Sequence, residues 1–406
     1  MATWTLNLGH SPILTEQPDF LGKEKLREPL TADDRMIFWE RLMERHGRHP
    51  YLLVRYALPL QLRCPGQALA LLEEAQAESA LRDVAISPEF VASVGDFRRR
   101  IEGSVQARET IPDHAFSQPW VPVIRLPLPT DDLLCTGHAR VQSDWTHCCP
   151  KQSERFQRYL RSVAIETNHI EGTFLLRPES ARCIIRDGVS TGRVNVAPRS
   201  VIRDRKTIAT ILNDTLSAYD LLYDVIEDPS KFTPEIVCAA HRRVMLTARF
   251  EGRYVPAGVT RSITRDMVGI NSGEDGFIQC CPHEEVDQEL STICELTRGY
   301  LRSGRMGPFA LSTWLHLALA RCHPFNDGDG RITRLFASIP LIKHGYPPIL
   351  VPMTDKAAYF KAINQAYKGD FGPLAECFGR GMQAGINVAC EEDSSASVAD
   401  STSHAT

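Results

Sequence analysis

The residues best suited to chemistry in this chain fall in one unbroken run: His323, Pro324, Phe325, Asn326, Asp327, Gly328, Asp329, Gly330, Arg331, Ile332, Thr333 and Arg334. The run reads as a phosphate-handling loop. His323 has the one side chain here whose ordinary pKa lets it act as a base near neutral pH. Asp327 supplies a hard oxygen, and a single carboxylate with phosphate oxygens and water is the usual way a protein holds Mg²⁺. Gly328 and Gly330 let the backbone come close to an anion. Arg331 and Arg334 lie three apart, so on a helix they share a face and reach the same polyphosphate.

Two elements must position this loop. Residues 309–320 are apolar at helical spacing and residues 335–342 resume an apolar helix-like run, so the loop joins two buried helices and the second opens at the glycines. A helix start has unpaired N–H groups and a partial positive charge, which together make an anion pocket. A calcium loop is the competing reading. It would place Asp327, Asp329 and Gly330 at positions 3, 5 and 6 but phenylalanines Phe325 and Phe336 at positions 1 and 12, which removes both anchoring ligands. A merely capped surface helix explains Asp and Gly but not His323 together with both arginines.

These residues, HPFNDGDGRITR as they stand, closely resemble the signature HPFx(D/E)GNGRxxR of Fic domains, a family that transfers AMP, or occasionally another phosphate-linked group, onto protein hydroxyls. The resemblance implies that His323 deprotonates the target hydroxyl, that Phe325 anchors the loop in the core, and that Asp327 binds Mg²⁺ on the phosphates of ATP. It further implies that the Gly328–Gly330 backbone forms the anion hole and that Arg331 and Arg334 hold the outer phosphates. One position departs from the pattern. Asp329 stands where the family usually has Asn, and an ionised Asp can only accept hydrogen bonds. Three consequences are open at this level: recruitment of further metal, a helix N-cap, or weaker binding of the usual nucleotide.

A second motif lies upstream. Residues 153–173 read as a helix ending in Thr167, Asn168, His169, Ile170, Glu171 and Gly172, and Thr167-x-x-x-Glu171-Gly172 resembles the (S/T)xxxE(G/N) inhibitory motif of Fic proteins whose motif precedes the core. Alone the pattern is weak, since Gly172 could simply end a helix. Its position upstream of the loop gives it weight. The resemblance implies that Glu171 pairs with Arg334, the arginine that the γ-phosphate needs. Glu166 falls five residues earlier and points elsewhere. His316, two helical turns before His323, reads as a packed structural residue.

The β signal is confined to residues 259–265 and 276–280, which flank a turn-rich stretch at 271–275. By resemblance to the Fic hairpin flap, Val259, Thr260, Ile263, Thr264 and Ile278 are the candidate flap residues, with an edge that could add a strand from the target. The alternative is a plain packing element.

The rest of the chain sets the frame. Its 406 residues are 43% hydrophobic and 24% charged with a net charge of −4, an ordinary globular composition without the basic footprint of a nucleic-acid binder. No run of eighteen apolar residues and no signal-like start are present, so we expect no membrane association and an intracellular, cytoplasmic or nuclear, location. Twelve scattered cysteines suit reduced thiols. The expected organisation is an extended arm (1–30), an N-terminal helical region (31–110), a proline-rich linker (111–150), an inhibitory helix segment (151–199), a catalytic core (200–390) and a disordered tail (391–406). Cys135, His138, His147, Cys148 and Cys149 in the linker fit no familiar zinc spacing.

The sequence therefore reads as a mostly α protein with a Fic-type helical core and a small β-hairpin flap, preceded by an N-terminal helical region. Its expected ligands are ATP, Mg²⁺ and a protein with an exposed Ser, Thr or Tyr hydroxyl, and a homodimer is admissible. Removal of AMP from a modified protein, transfer of another phosphate-linked group, and a catalytically silent scaffold are the competing functions.

Overall fold

The protein, seen in a computed structural model, is described over residues 6, 8, 13, 18–21, 28–108, 116–271 and 276–391. The expected tail beyond 391, most of the expected arm and the turn at 272–275 lie outside these residues. Among the described residues there are fifteen α-helices and one two-stranded antiparallel sheet, β1 (Gly269–Asn271) and β2 (Phe277–Gln279). The chain divides into two compact units. One comprises Met1–Ile124, Val237–Thr292 and Leu319–Asp329, and the other comprises Arg125–Ile236, Ile293–Ala318 and Gly330–Thr406.

In the first unit the helices Ala32–His46, Pro50–Leu60, Pro65–Leu81 and Pro88–Arg108 surround a core that includes Trp39, Leu53, Leu72, Phe90 and Phe97. The Thr31 hydroxyl accepts from the Asp34 N–H at 3.1 Å and so opens the first of them. Pro50, Pro65 and Pro88 begin helices, where the missing N–H costs nothing, whereas Pro59 lies inside one. Ile270 faces Ile278 across the hairpin. The segment at 117–118 runs along the other side of β2, with the Ser117 N–H donating to the Phe277 carbonyl at 2.9 Å and the Gln279 N–H to the Gln118 carbonyl at 3.0 Å.

The strand expected over 259–265 does not form. Thr260 precedes a single helical turn, Arg261–Thr264, and the first strand begins only at Gly269. A strand would put Arg261 and Ile263, two residues apart, on the same face, yet Ile263 is 38% exposed and Arg261 fully buried. Four carbonyl groups demand that guanidinium, and tertiary demand overrides β-propensity. Of the five expected flap residues, Ile278 alone lies on a strand, and it is buried.

In the second unit the Glu154–Glu171 helix packs on the Gly372–Cys390 and Pro178–Asp187 helices. Ser153 caps its start by accepting from the Phe156 N–H at 3.1 Å, and Gly172 ends it in the left-handed conformation at φ 73°. The Tyr159 hydroxyl donates to the Pro348 carbonyl at 2.7 Å, which ties the helix to the loop after the Asp329–Lys343 helix. A helix at His138–Cys148 lies within the stretch expected to be a linker.

Candidate functional site

The signature run begins where the Pro308–Cys322 helix stops. His323 stops it by turning left-handed at φ 46°, with its N–H on the Leu319 carbonyl at 2.9 Å. Glycine usually takes this position, and for a histidine the conformation costs about 1 kcal/mol. Arg261 holds it in place. Its Nε donates to the His323 carbonyl at 2.6 Å, its Nη2 to the carbonyls of Cys322 at 3.1 Å and Cys281 at 2.6 Å, and its Nη1 to that of Asp266 at 3.0 Å. A buried cation on the last carbonyls of a helix also meets the negative end of the helix dipole.

Phe325 is fully buried and stacks face to face on His241, with ring centroids 3.7 Å apart. His241 Nδ1 accepts from the Gly258 N–H at 2.7 Å, so Nε2 carries the proton and donates to the Asp327 carbonyl at 2.8 Å. Asn326 is gripped by the Thr264 hydroxyl, 2.8 Å from its Oδ1, and by Asp266, which accepts from its Nδ2. Thr264 thus belongs to the site as a brace for the loop. Asp327 is exposed, and its Oδ1 takes the Gly328 N–H at 2.6 Å.

Asp329 is the first residue of the Asp329–Lys343 helix and is 3% exposed. Its Oδ1 accepts the Phe325 N–H at 3.0 Å, and its Oδ2 lies 3.2 Å from His323 Nε2. The carboxylate therefore turns back into its own loop and faces the histidine.

The other half of the run meets the upstream motif. Arg334, 2% exposed, donates from Nη2 to Glu171 Oε1 at 2.6 Å and to the Thr167 carbonyl at 3.1 Å, and from Nε to the Thr167 hydroxyl at 2.9 Å. Its Nη1 reaches the Tyr359 hydroxyl at 3.4 Å, and that hydroxyl lies 2.6 Å from Nε2 of the buried His316. Burial opposes the charge of Arg334, but the Glu171 carboxylate and the Tyr359 hydroxyl together outweigh it and raise the guanidinium's pKa. Arg331 Nη1 donates to Asn168 Oδ1 at 3.3 Å, and Asn168 is fixed by the Ala164 carbonyl and the Thr215 hydroxyl.

Glu171 also lies against Gly330. A methyl group there would stand 2.8 Å from the Glu171 Cδ, so the close approach requires glycine. An acid thus rests on the first turn of a helix, where backbone N–H groups favour an anion. Glu166 turns away, accepting the Met353 N–H at 2.7 Å, and burial raises its pKa.

The structure places His323, Phe325, Asp327, Gly328 and Asp329 in one braced loop, and Gly330 and Arg334 against Thr167 and Glu171. Sequence reasoning missed His241, Arg261, Asp266, Asn168 and Tyr359. Asn168 alone had a visible signal, since it follows Thr167 inside the motif. In the expected linker, His147 Nδ1 lies 2.7 Å from the Ser143 carbonyl, and burial pushes the Cys135 thiol up to about 12.

Residues 231–341 match the family model described as the Fic/DOC family. The chain is 35% identical over 81 residues to a protein adenylyltransferase Fic of Nematostella vectensis, a match covering 19% of each chain. It is 31% identical over 81 residues to the protein adenylyltransferase fic-1 of Caenorhabditis briggsae, covering 20% of this chain and 16% of the relative. The match therefore spans under a fifth of these curated relatives' length. Among solved structures, a Fic domain containing signaling protein from Bacteroides thetaiotaomicron aligns with 63% of this chain and 98% of its own at 18% identity and a TM-score of 0.49.

Proposed function

We propose, from the match of residues 231–341 to the Fic/DOC family model, that the protein is a protein adenylyltransferase held in check by Glu171. The substrates are ATP and a protein with an accessible Ser, Thr or Tyr hydroxyl. His323 takes the hydroxyl proton, the oxygen attacks the α-phosphorus in line, and the bond to the β-phosphate oxygen breaks so that pyrophosphate leaves. Arg331 and Arg334 hold the outer phosphates, and the N–H groups around Gly328 and Gly330 receive the negative charge. Asp327, an exposed carboxylate beside this helix start, fits a Mg²⁺ site. When bound there the ion neutralises charge on the polyphosphate.

One observation carries the reading: the Glu171 carboxylate sits on the Gly330 turn and pairs with Arg334, where an outer phosphate would otherwise rest. An acid in an anion cradle excludes the anion by charge and by volume. The relatives named protein adenylyltransferase support the AMP donor. Among the described residues no helix is long and apolar enough to cross a membrane.

The test is intact-mass spectrometry after incubation with ATP and Mg²⁺, with and without a cell extract as target source. Wild type should gain little AMP, Glu171→Gly should gain it, and Glu171→Gly/His323→Ala should lose it again. Equal labelling of Glu171→Gly and the double variant would remove His323 from the reaction. Absence of AMP on every protein in every arm would overturn the adenylyltransferase reading.

A further inference from the structure

The pair formed by Glu171 and Arg334 is gripped by one helical turn that the reaction above does not use. We infer that Lys356 is a positioning residue for the check on that reaction: by holding the Ile170 carbonyl it fixes the last turn of the Glu154–Glu171 helix, and with it the Glu171 carboxylate on Arg334. The inference rests on the reading that Glu171 stands where a phosphate would rest, and it adds what keeps Glu171 there.

A helix leaves its last four carbonyls without an N–H from a following turn. At the end of the Glu154–Glu171 helix the Asn168 carbonyl takes the Thr173 N–H at 3.1 Å, and the His169 carbonyl takes the Gly172 N–H at 3.0 Å. The Ile170 carbonyl is met by a side chain: Lys356 Nζ donates to it at 2.6 Å. This is a charge-assisted bond at the negative end of an 18-residue helix, so the ammonium contributes its charge as well as its proton. The acceptor belongs to the peptide unit that joins Ile170 to Glu171. Unwinding the last turn to lift Glu171 off Arg334 therefore breaks the Lys356 bond.

Lys356 opens the Lys356–Tyr367 helix, and the same turn reaches the other partner of the pair. Tyr359 is three residues on and so shares a face with Lys356; its ring centroid lies 5.8 Å from the Arg334 guanidinium and its hydroxyl 3.4 Å from Nη1. Lys356 holds the turn that carries the acid while Tyr359 holds the guanidinium it meets. One turn before Ile170, Glu166 accepts the Met353 N–H at 2.7 Å. Two bonds of opposite sense thus run between the end of the inhibitory helix and residues 353–356, one from N–H to carboxylate and one from ammonium to carbonyl. The Lys356 ammonium also lies 5.6 Å from the centre of the Phe360 ring, which limits the positions it takes.

Nucleotide and Glu171 compete for Arg334, so the apparent affinity for nucleotide is the intrinsic affinity reduced by the fraction of molecules in which Arg334 is open. Loss of the Lys356 bond raises that fraction and leaves the phosphate-binding groups intact. The effect exists only while Glu171 is present to be released. A residue that merely supports the fold, or that touches the nucleotide itself, acts whether Glu171 is present or not, so the two cases separate in a double-mutant cycle.

Calorimetric titration of the full chain with a non-hydrolysable ATP analogue and Mg²⁺ reads the competition. Lys356→Met keeps the length of the stem and removes the charge and the donors, whereas Lys356→Arg keeps both. Lys356→Met should tighten analogue binding about fivefold or more, Lys356→Arg should stay near wild type, Glu171→Gly should tighten binding further, and Lys356→Met should add nothing in the Glu171→Gly background. The rate of AMP incorporation from ATP into an added cell extract should rise in the same order. Lys356→Gln carries the test if Lys356→Met does not fold. Binding left unchanged or weakened by Lys356→Met, while Glu171→Gly tightens it, overturns this inference alone. So does equal tightening in both backgrounds, which would mean that Lys356 acts on the nucleotide directly. No tightening in Glu171→Gly removes the premise that Glu171 blocks a phosphate, and this inference with it. The expected binding pattern without AMP transfer by any protein would sink the adenylyltransferase reading and leave the role of Lys356 supported.

Discussion

Glu171 is the residue whose removal tests the site most directly, since the same change should weaken the apo fold and strengthen nucleotide binding. Arg334 is 2% exposed and Glu171 is its one carboxylate among the contacts described above. Removing one partner of a buried pair typically costs about 3–5 kcal/mol, because a charge is left without compensation. Here the loss is partial, as Arg334 keeps two acceptors on Thr167 and one on Tyr359, and the Glu171 side chain is 23% exposed. We expect about 2–3 kcal/mol for Glu171→Gly, which also loses helix propensity, and about 1–2 kcal/mol for Glu171→Gln, which keeps a neutral acceptor.

Nucleotide should return what the substitution removes. A phosphate oxygen restores an anionic partner to Arg334, and a ligand at a hundred times its Kd adds about 2.7 kcal/mol to the folded state. Thermal melts with a non-hydrolysable ATP analogue and Mg²⁺ read both effects. The apo midpoint should fall by roughly 5 °C in Glu171→Gly and less in Glu171→Gln, and the analogue-induced rise should be smallest in wild type and largest in Glu171→Gly. Equal apo midpoints and equal analogue-induced rises in all three proteins would refute the claim that Glu171 occupies the phosphate position.

Four further outcomes follow from the contacts. Gly330→Ala should displace the Glu171 carboxylate and so destabilise wild type by about 1–2 kcal/mol, yet cost less in a Glu171→Gly background, a non-additivity that a double-mutant cycle measures. Arg261→Lys should lower stability by at least about 2 kcal/mol in urea unfolding, since an ammonium cannot serve four carbonyls arranged around a planar fork. Burial holds the Glu289 carboxyl up at about 7 although it accepts the Val123 N–H at 2.6 Å. Its folded pKa lies above the unfolded value, so its stabilising contribution is complete below about pH 4.5 and is lost as pH rises through 7, and Glu289→Gln should flatten that decline in unfolding free energy. His316 behaves oppositely: burial, then Arg334, lower it to about 3, so stability should fall as pH drops from about 6.5 toward 3, and circular dichroism across that range should show a weaker fall in His316→Gln.

The parts of the site legible in the sequence are those whose relations are set by helical geometry or by direct succession. Arg331 and Arg334 share a turn, and Thr167 and Glu171 are one turn apart, so their common faces follow from residue numbers alone. The pairing of Glu171 with Arg334 was expected from family resemblance, and the structure contains it. Arg261 and His241 were illegible for a physical reason. Each acts on backbone groups, the carbonyls at 322 and 323 and at 327, and no residue type announces that a carbonyl needs a donor. The same demand explains the misplaced strand, where the Val, Thr and Ile content of 259–265 argued for β structure while the buried guanidinium required a turn.

The two aspartates of the signature show how burial divides labour between identical side chains. Asp327 and Asp329 are two residues apart, and from sequence either could have recruited metal. Asp329 has one oxygen on the Phe325 N–H and the other facing His323, behind a surface that leaves 3% of the residue accessible. A cation reaching it would have to enter a nearly closed space in which His323 Nε2 already stands 3.2 Å from Oδ2, which weighs against the metal-recruiting alternative. It does not sit as an N-cap either, being already the first helical residue. Asp327, in the same turn, is exposed, with one carboxylate oxygen on the Gly328 N–H. The turn that buries one acid thereby presents the other, so Asp327→Asn should weaken Mg²⁺-dependent nucleotide binding, whereas Asp329→Asn should leave the Mg²⁺ dependence unchanged. Calorimetric titration of the nucleotide with and without Mg²⁺ separates the two roles, and an equal loss of Mg²⁺ dependence in both variants would show that the division is wrong.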